Sequence, residues 1–141
     1  MIDCKWIQGA RDLADVLAIR RVVFIEEQNV PYEEEGVPGE DEASWHLIVY
    51  SGGAAAATGR IFMNEGRFIL QRIAVLKEFR GRGLGKLVTR KLIDKAFELG
   101  AKIIDISSQT HALSFYEAFG FKAYGEEYLD AGIAHYSMKL Q

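Results

Sequence analysis

Residues 68–99 read FILQRIAVLKEFRGRGLGKLVTRKLIDKAFEL, and they contain three consecutive patterns. Residues 68–76 are almost continuously apolar, which is typical of a strand covered on both faces. Residues 77–85 are mainly polar and contain three glycines, which indicates a turn. Apolar residues then recur at helical spacing from Leu84 to Leu99, with charged residues between them. The stretch therefore predicts a buried strand, a glycine-rich turn and an amphipathic helix.

A glycine-rich turn that leads into a helix favours the binding of an anion. The first turn of a helix has backbone N–H groups without partners, and the helix dipole makes that end positive. Glycine lets the backbone approach a phosphate closely because it has no Cβ. Arg80, Arg82 and Lys86 add positive charge around the same turn. The sequence therefore predicts a phosphate or pyrophosphate bound by residues 81–86.

Three phosphate-binding patterns compete for this turn. A P-loop requires serine or threonine after its lysine, but Lys86 is followed by Leu87. A dinucleotide fingerprint requires a third glycine where this chain has Lys86, which disfavours a nucleotide-binding α/β domain. A third pattern, Arg/Gln-x-x-Gly-x-Gly/Ala, is satisfied by Arg80, Gly83 and Gly85. A surface turn with solvated arginines is the alternative without a ligand.

Composition and charge narrow the class of protein. The length suits one domain over residues 1–141, and the net charge of −3 does not suggest a nucleic-acid partner. No segment reaches the roughly 18 apolar residues of a membrane span, so we expect no membrane partner. The N-terminus lacks the apolar core of a signal peptide. Cys4 is the only cysteine, which fits a cytoplasmic protein without an internal disulfide.

Hydrophobic periodicity and turn residues divide the chain into alternating elements. The helix 84–99 should end at Gly100, and the unit over residues 68–107 implies a parallel strand pair with a right-handed crossover. Predicted strands span residues 2–8, 45–50, 54–63, 68–76, 102–107, 121–127 and 133–140. Predicted helices span residues 11–27, 84–99 and 110–119, and residues 32–42 form an acidic loop.

The third phosphate-binding pattern and this order of elements resemble the GNAT N-acetyltransferase superfamily along essentially the whole chain. The resemblance implies an α/β (α+β) fold with a mixed, mostly antiparallel sheet and helices on both faces. At a finer level the chain resembles the ElaA/YjcF-type branch. The stretches that carry this finer resemblance are residues 20–31 (RRVVFIEEQNVP), 70–76 (LQRIAVL), 109–121 (QTHALSFYEAFGF) and 129–138 (LDAGIAHYSM).

The resemblance implies a binding site for acetyl-CoA. In the family, the pantetheine arm of the coenzyme pairs with the strand before the loop, and the next strand diverges from it. The backbone N–H of Val75 would then lie near the thioester oxygen. Gln109 occupies a position where many relatives have an asparagine that contacts the coenzyme. The full set of expected coenzyme-binding residues is Ile73, Ala74, Val75, Arg80, Gly81, Arg82, Gly83, Leu84, Gly85, Lys86 and Gln109.

Three side chains are candidates for proton transfer. Tyr116 matches the position of the family's usual acid, which protonates the leaving thiolate; packing in the core is the structural alternative. His135 lies on a final strand near the expected acceptor slot, and histidine titrates near neutral pH, although a lone histidine on a strand more often has a structural role. Glu27 could act as the base through water, or could cap charges at the end of the first helix. Paired His/Cys spacing is absent, so we predict no metal site. Of the other histidines, His46 is expected to be structural.

The sequence leaves the acceptor open. The acidic residues of the loop 32–42 are either solvated or form a rim that attracts a cationic amine, and Arg72 could pair with one of them. The predicted activity is direct transfer of an acetyl group from acetyl-CoA to a primary amine, on a small molecule or a lysine. The rival is a non-catalytic module that binds or senses acyl-CoA. A homodimer is compatible with the sequence, since dimers are common in the superfamily.

Overall fold

A seven-stranded sheet forms the centre of the fold. The computed structural model of the chain describes residues 1–31, 35, 37 and 39–141. Its strands are β1 (Ile2–Gln8), β2 (Ser44–Ser51), β3 (Ala54–Asn64), β4 (Arg67–Val75), β5 (Ile104–Gln109), β6 (Lys122–Asp130) and β7 (Ile133–Leu140). They are arranged in the order β1-β2-β3-β4-β5-β7-β6. All neighbouring strands are antiparallel except β4 and β5, which are parallel. The predicted mixed, mostly antiparallel sheet is therefore confirmed.

Helices cover both faces of this sheet. They are α1 (Ala14–Arg20), which continues as a π-helix (Arg21–Glu27), then α2 (Leu84–Glu98) and α3 (Leu113–Glu117). Side chains of β2 alternate between the two faces: Leu47 packs in the core that includes α2, and Ile48 packs in the core that includes α1. Within the described residues, no helix is long and apolar enough to cross a membrane.

The first helix differs from the prediction in both its start and its hydrogen bonding. Residues 11–27 were expected to be one α-helix, but α1 begins only at Ala14. Asp12 has a φ of 56°, a left-handed conformation that a right-handed helix cannot include. The second half then widens into a π-helix, in which the N–H of Gln28 donates to the carbonyl of Val23 at 3.2 Å. Such π-turns are often found at functional sites.

Strands β4 and β5 pair only at one end. The registered pairs are Phe68 with Ile104, Ile69 with Asp105, and Leu70 with Ile106. Beyond them, β4 remains paired with β3 and β5 remains paired with β7. The two parallel strands therefore separate toward their carboxyl ends and leave a cleft in the middle of the sheet. This opening explains why β4, predicted to be covered on both faces, is only partly buried.

A bulge in β4 lies opposite Gly59 of β3. The register passes from Thr58–Ala74 to Arg60–Gln71, so Gly59 faces two residues instead of one. One of these is Arg72, whose φ is 56°.

Gly59 is also the point where α2 approaches the sheet most closely. A Cβ at this position would lie 2.7 Å from Leu92 Cδ1 and 2.8 Å from Val88 Cγ1. We expect Gly59→Ala to lower the free energy of unfolding by about 1–3 kcal/mol, because α2 must shift to accept the methyl group. Urea unfolding measures this change. Ala54→Val adds bulk at an exposed position of the same strand and should have almost no effect; an equal loss in both variants would contradict the packing explanation.

Candidate active site

The cleft between β4 and β5 contains a cavity of about 350 Å³. It opens where the two strands separate, and residues from β4, β5, β7 and α3 contribute to its walls. The predicted residues Ile73, Gln109, Tyr116 and His135 all line it. The fold thus brings together two of the three side chains predicted to transfer protons, although more than fifteen residues separate them in the sequence.

A second cavity of about 400 Å³ lies over the start of α2. The N-cap residue of α2 is Gly83, with a φ of 79°, and no side chain caps the first turn. That turn contains no acidic residue either. Its N–H groups are therefore without a capping side chain, and the binding of an anion there stays a prediction. The predicted residues that line this cavity are Ile73, Ala74, Val75, Arg80, Gly81, Gly83, Leu84 and Gly85. We call these residues the cradle.

The glycines of the cradle are required by its shape. Gly81 and Gly83 have φ values of 80° and 79°, a conformation that L side chains rarely adopt. Apart from each glycine and its two chain neighbours, no heavy atom of the described residues lies within 4 Å of a Cβ placed on either residue. The space above these two backbone positions is therefore open to a ligand. Lys86 is exposed on the first turn of α2, and the Arg82 guanidinium lies 5.5 Å from the centre of the Phe79 ring.

The backbone of Val75 faces the cleft. The N–H of Leu76 donates to the carbonyl of Ala56 on β3 at 2.9 Å. Because successive residues of a strand direct their amides to opposite sides, the N–H and C=O of Val75 point away from β3. Arg80 Nε donates to that carbonyl at 2.9 Å. The N–H of Val75 is thus oriented as the predicted contact to a thioester oxygen would require.

Glu27 lies at the cradle and not in the cavity that Tyr116 and His135 share. Its Oε1 accepts a hydrogen bond from Arg80 Nη2 at 3.0 Å, so its charge is paired with that of the guanidinium. The structure therefore does not bring Glu27 together with the other two predicted proton-transfer groups. If Glu27 acted as a base through water, it would have to do so from the cavity over the start of α2.

Tyr116 is largely enclosed by aromatic side chains of its own helix and of the chain that follows. The ring of Phe115 contacts it edge-on at 5.0 Å between centroids, and Phe121 does so at 6.1 Å. Burial raises the pKa of Tyr116 to about 12. The phenol therefore keeps its proton at every physiological pH and can donate it to an acceptor in the cavity.

His135 is buried on β7, and its tautomer is fixed by a hydrogen bond. Nδ1 lies 2.7 Å from the carbonyl oxygen of Ile133, which can only accept, so Nδ1 carries the proton in the neutral ring. Nε2 is then the unprotonated nitrogen and can take up a proton. The Tyr128 ring stacks on the imidazole, with 5.9 Å between centroids.

Two contacts near the cavity were not predicted. The His111 Nε2 atom hydrogen-bonds Oε1 of Gln109 at 2.6 Å, so the amide expected to contact the coenzyme is held by a neighbouring side chain. The Ser107 hydroxyl, which lines the cavity, hydrogen-bonds the phenol of Tyr128. The sequence offers no signal for the second contact, because it joins β5 to β6 across the irregular register of β6.

The acidic loop differs from the sequence-based expectation, because several of its acids are paired with arginines. Glu33 and Glu34 lie outside the described residues, but three other acids of the loop are buried or half-buried and already have cationic partners. They are paired with arginines that point inward from α1 and the sheet. The ion pairs are Arg20–Glu35 (2.5 Å), Arg20–Asp41 (2.7 Å), Arg60–Asp41 (2.8 Å), Arg60–Glu40 (2.7 Å) and the longer Arg72–Glu35 (3.6 Å).

These pairs form a buried charge network that anchors the loop to the sheet. Arg20 and Arg60 are each only 1% exposed, and a buried arginine requires a counter-charge. Burial alone would raise the pKa of Asp41, but the hydrogen bonds and charges of Arg20 and Arg60 outweigh it and hold that pKa below its ordinary value. A useful signal in the sequence was Arg20, which falls on the apolar face of the first helix. The predicted pairing of Arg72 with an acid of the loop is confirmed.

His46 belongs to the same network, as the predicted structural role requires. It is fully buried on β2, and its Nε2 lies 3.0 Å from the carbonyl oxygen of Asp41. Burial lowers the pKa of His46. No group of three or more His, Cys, Asp or Glu side chains that could hold a metal ion occurs in the described part of the chain.

Comparison with known proteins agrees with this architecture. A family model described as an acetyltransferase (GNAT) domain matches residues 23–141. The crystal structure of an acyl-CoA N-acyltransferase from Pseudomonas aeruginosa superimposes with a TM-score of 0.90 over 100% of both chains, at 28% sequence identity. The chain therefore belongs to the GNAT acetyltransferase family.

Two relatives identify the branch of that family. The uncharacterized N-acetyltransferase YjcF of Bacillus subtilis is 40% identical over 132 residues, which cover 93% of this chain and 94% of YjcF. Protein ElaA of Escherichia coli is 27% identical over 129 residues, which cover 87% of this chain and 83% of ElaA. Within the family, the chain is of the ElaA/YjcF type, as the sequence predicted.

Proposed function

We propose that this chain transfers the acetyl group of acetyl-CoA directly to the primary amine of an acceptor molecule. Membership of the GNAT family supports an N-acetyltransferase; the acyl donor and the kind of acceptor are the proposal. One observation carries it. The cradle opens next to the cavity that contains Tyr116 and His135, Ile73 lines both cavities, and the backbone N–H of Val75 points away from β3 toward the cleft.

The cradle is suited to the diphosphate of coenzyme A. Uncapped N–H groups of the first turn of α2 would donate to its oxygens, and the positive φ of Gly81 and Gly83 keeps that space open. The cleft beside β4 would accept the pantetheine arm, because the outward-facing amides there have no neighbouring strand to pair with beyond Leu70. Because Gln28 and Ile73 line both cavities, the two would together accept the coenzyme from its phosphates to the reacting carbon.

The reaction needs three groups. In the proposed step, His135 Nε2 accepts a proton from the amine as its nitrogen bonds to the thioester carbon. The N–H of Val75 donates to the oxygen that becomes negative, which stabilises the tetrahedral intermediate. As the carbonyl forms again, the bond between carbon and sulfur breaks, and Tyr116 donates its proton to the leaving sulfur. His135 then releases its proton to solvent and Tyr116 takes one up, which restores both groups. Direct transfer is favoured over an acetylated cysteine because Cys4, the only cysteine of the chain, is exposed on β1.

The decisive experiment measures thiol release from acetyl-CoA with a panel of amines. Because Glu35, Glu40 and Asp41 are already paired with arginines, the panel must include neutral and zwitterionic amines as well as cationic ones. Acceleration of thiol release by one class of amine, together with an acetylated product, would support the enzyme. If acetyl-CoA binds but no amine accelerates release above hydrolysis, the sensing module is the better description.

His135→Gln is expected to lower kcat/KM for the amine about 100-fold near neutral pH, because proton removal from the amine loses its base. The loss should shrink as pH rises, since more of the amine is then already unprotonated. His111→Gln is the matched control, because that residue lines the same cavity and lies outside the proposed proton path. A larger effect at His111 than at His135 would contradict the assignment.

A further inference from the structure

The cavity over the start of α2 is lined by one carboxylate, at a place where an anion is expected to bind. Glu27 lines this cavity together with Arg80, Gly81, Gly83 and Gly85. It is the one acidic residue among the described residues that form the cavity wall. A negative charge beside a diphosphate is unfavourable, and its presence in such a site requires an explanation.

The carboxylate holds the arginine of the phosphate-binding pattern. Arg80 Nη2 lies 3.0 Å from Glu27 Oε1, while its Nε donates to the Val75 carbonyl at 2.9 Å. The two side chains are 44% and 32% exposed, so the pair is partly hydrated and easily exchanged for a stronger partner. A diphosphate offers more charge and more acceptor oxygens than one carboxylate.

The π-helix sets the position of Glu27. Glu27 is the last residue of this segment, which follows α1. Each residue of an α-helix turns the chain by about 100°, so the wider π-turn directs the end of the segment differently from a continued α-helix. The unusual helix thus places a carboxylate near the start of α2, where it pairs with Arg80.

We propose that Glu27 competes with the coenzyme for Arg80 and thereby sets the affinity for coenzyme A and its release. This inference rests on the proposed function, because it assumes that the cradle binds the diphosphate. In the free protein, Glu27 neutralises Arg80 and holds it in place. Binding transfers the guanidinium from Glu27 to the diphosphate, and Glu27 recaptures it when the product coenzyme leaves.

Titration calorimetry at low salt tests this competition with coenzyme A and with pantetheine, which lacks phosphate. Glu27→Gln removes the charge and keeps the shape, so its Kd for coenzyme A should fall about two- to fivefold, as expected for the loss of one partly exposed charge interaction. The Kd for pantetheine should not change. Glu78→Gln is the matched control: it removes an equal charge from an exposed residue outside the cradle and should leave both Kd values close to those of the wild type.

A double-mutant cycle shows whether Glu27 acts through Arg80. In an Arg80→Gln background, Glu27→Gln should no longer tighten the binding of coenzyme A. A gain that persists there, or an unchanged or higher Kd in the single variant, would overturn the inference while the proposed function stands. Lower turnover without tighter binding would assign Glu27 to proton transfer and would also overturn it. Failure of the wild type to bind coenzyme A at all would refute the proposed function itself.

Discussion

Tyr116→Phe is expected to lower kcat about 100- to 10,000-fold, with little change in the Kd for coenzyme A. The substitution removes only the hydroxyl, so the edge contacts of the ring with Phe115 and Phe121 remain. Without the phenol, the sulfur would leave as an unprotonated thiolate in a partly buried site. Steady-state kinetics with the best amine of the panel, together with calorimetry, separate turnover from binding.

The pKa of Tyr116 adds a second test of the same assignment. Its value of about 12 lies above that of an ordinary phenol, so the acid form persists through the pH range in which enzymes are assayed. Ultraviolet titration of tyrosinate should show a late-ionising group that is missing in Tyr116→Phe. Tyr124→Phe, on the exposed strand β6, is the control and should retain wild-type kcat. A kcat for Tyr116→Phe within threefold of the wild type would rule out a role as the acid.

Asp41→Ala is expected to lower the free energy of unfolding by about 3 kcal/mol, the lower end of the range for breaking a buried ion pair. Its Oδ1 accepts from both Arg20 at 2.7 Å and Arg60 at 2.8 Å, so the substitution leaves two buried guanidinium groups short of a counter-charge. The lower end applies because the side chain of Asp41 is 23% exposed. Urea unfolding measures the change.

The stabilisation by Asp41 must also depend on pH. Its pKa is lower in the folded protein than the ordinary value of 3.8, so the stabilisation is complete above pH 3.8 and is lost as pH falls through the folded value. The difference in stability between wild type and Asp41→Ala should therefore narrow in acid. Glu42→Ala, at the exposed neighbouring position, should change stability little at any pH. A loss of similar size at both positions would argue against a specific network.

The part of the site that depends on local sequence could be predicted from the chain alone. The cradle follows from Gly81, Gly83 and the helix that starts beside them, because φ values and free N–H groups are local properties. The position of Tyr116 on a short helix was likewise predicted within a few residues. These elements depend on contacts between residues that are close in the chain. Such contacts can be predicted from the type and spacing of the residues.

The parts that the sequence could not reveal depend on distant pairs. Three acids of the loop, Glu35, Glu40 and Asp41, looked solvated because their partners, Arg20 and Arg60, lie 15 or more positions away. The pairing of Glu27 with Arg80 spans 53 positions and depends on a π-turn that side-chain periodicity does not distinguish from an α-helix. In each case a charged residue was interpreted by its neighbours, whereas its environment is set by the packing of remote elements.

The short pairing between β4 and β5 has a mechanical consequence. Three residue pairs form the seam between two antiparallel ribbons, β1–β4 on one side and β5–β7 on the other. The core beneath α2 joins the ribbons at the closed end, through Leu70 and Ile104 among others. We expect local unfolding to begin at the open end. A pantetheine-like chain bound there would bridge the two strands and raise the melting temperature. The bound pantetheine chain would then occupy the gap in the sheet between β4 and β5.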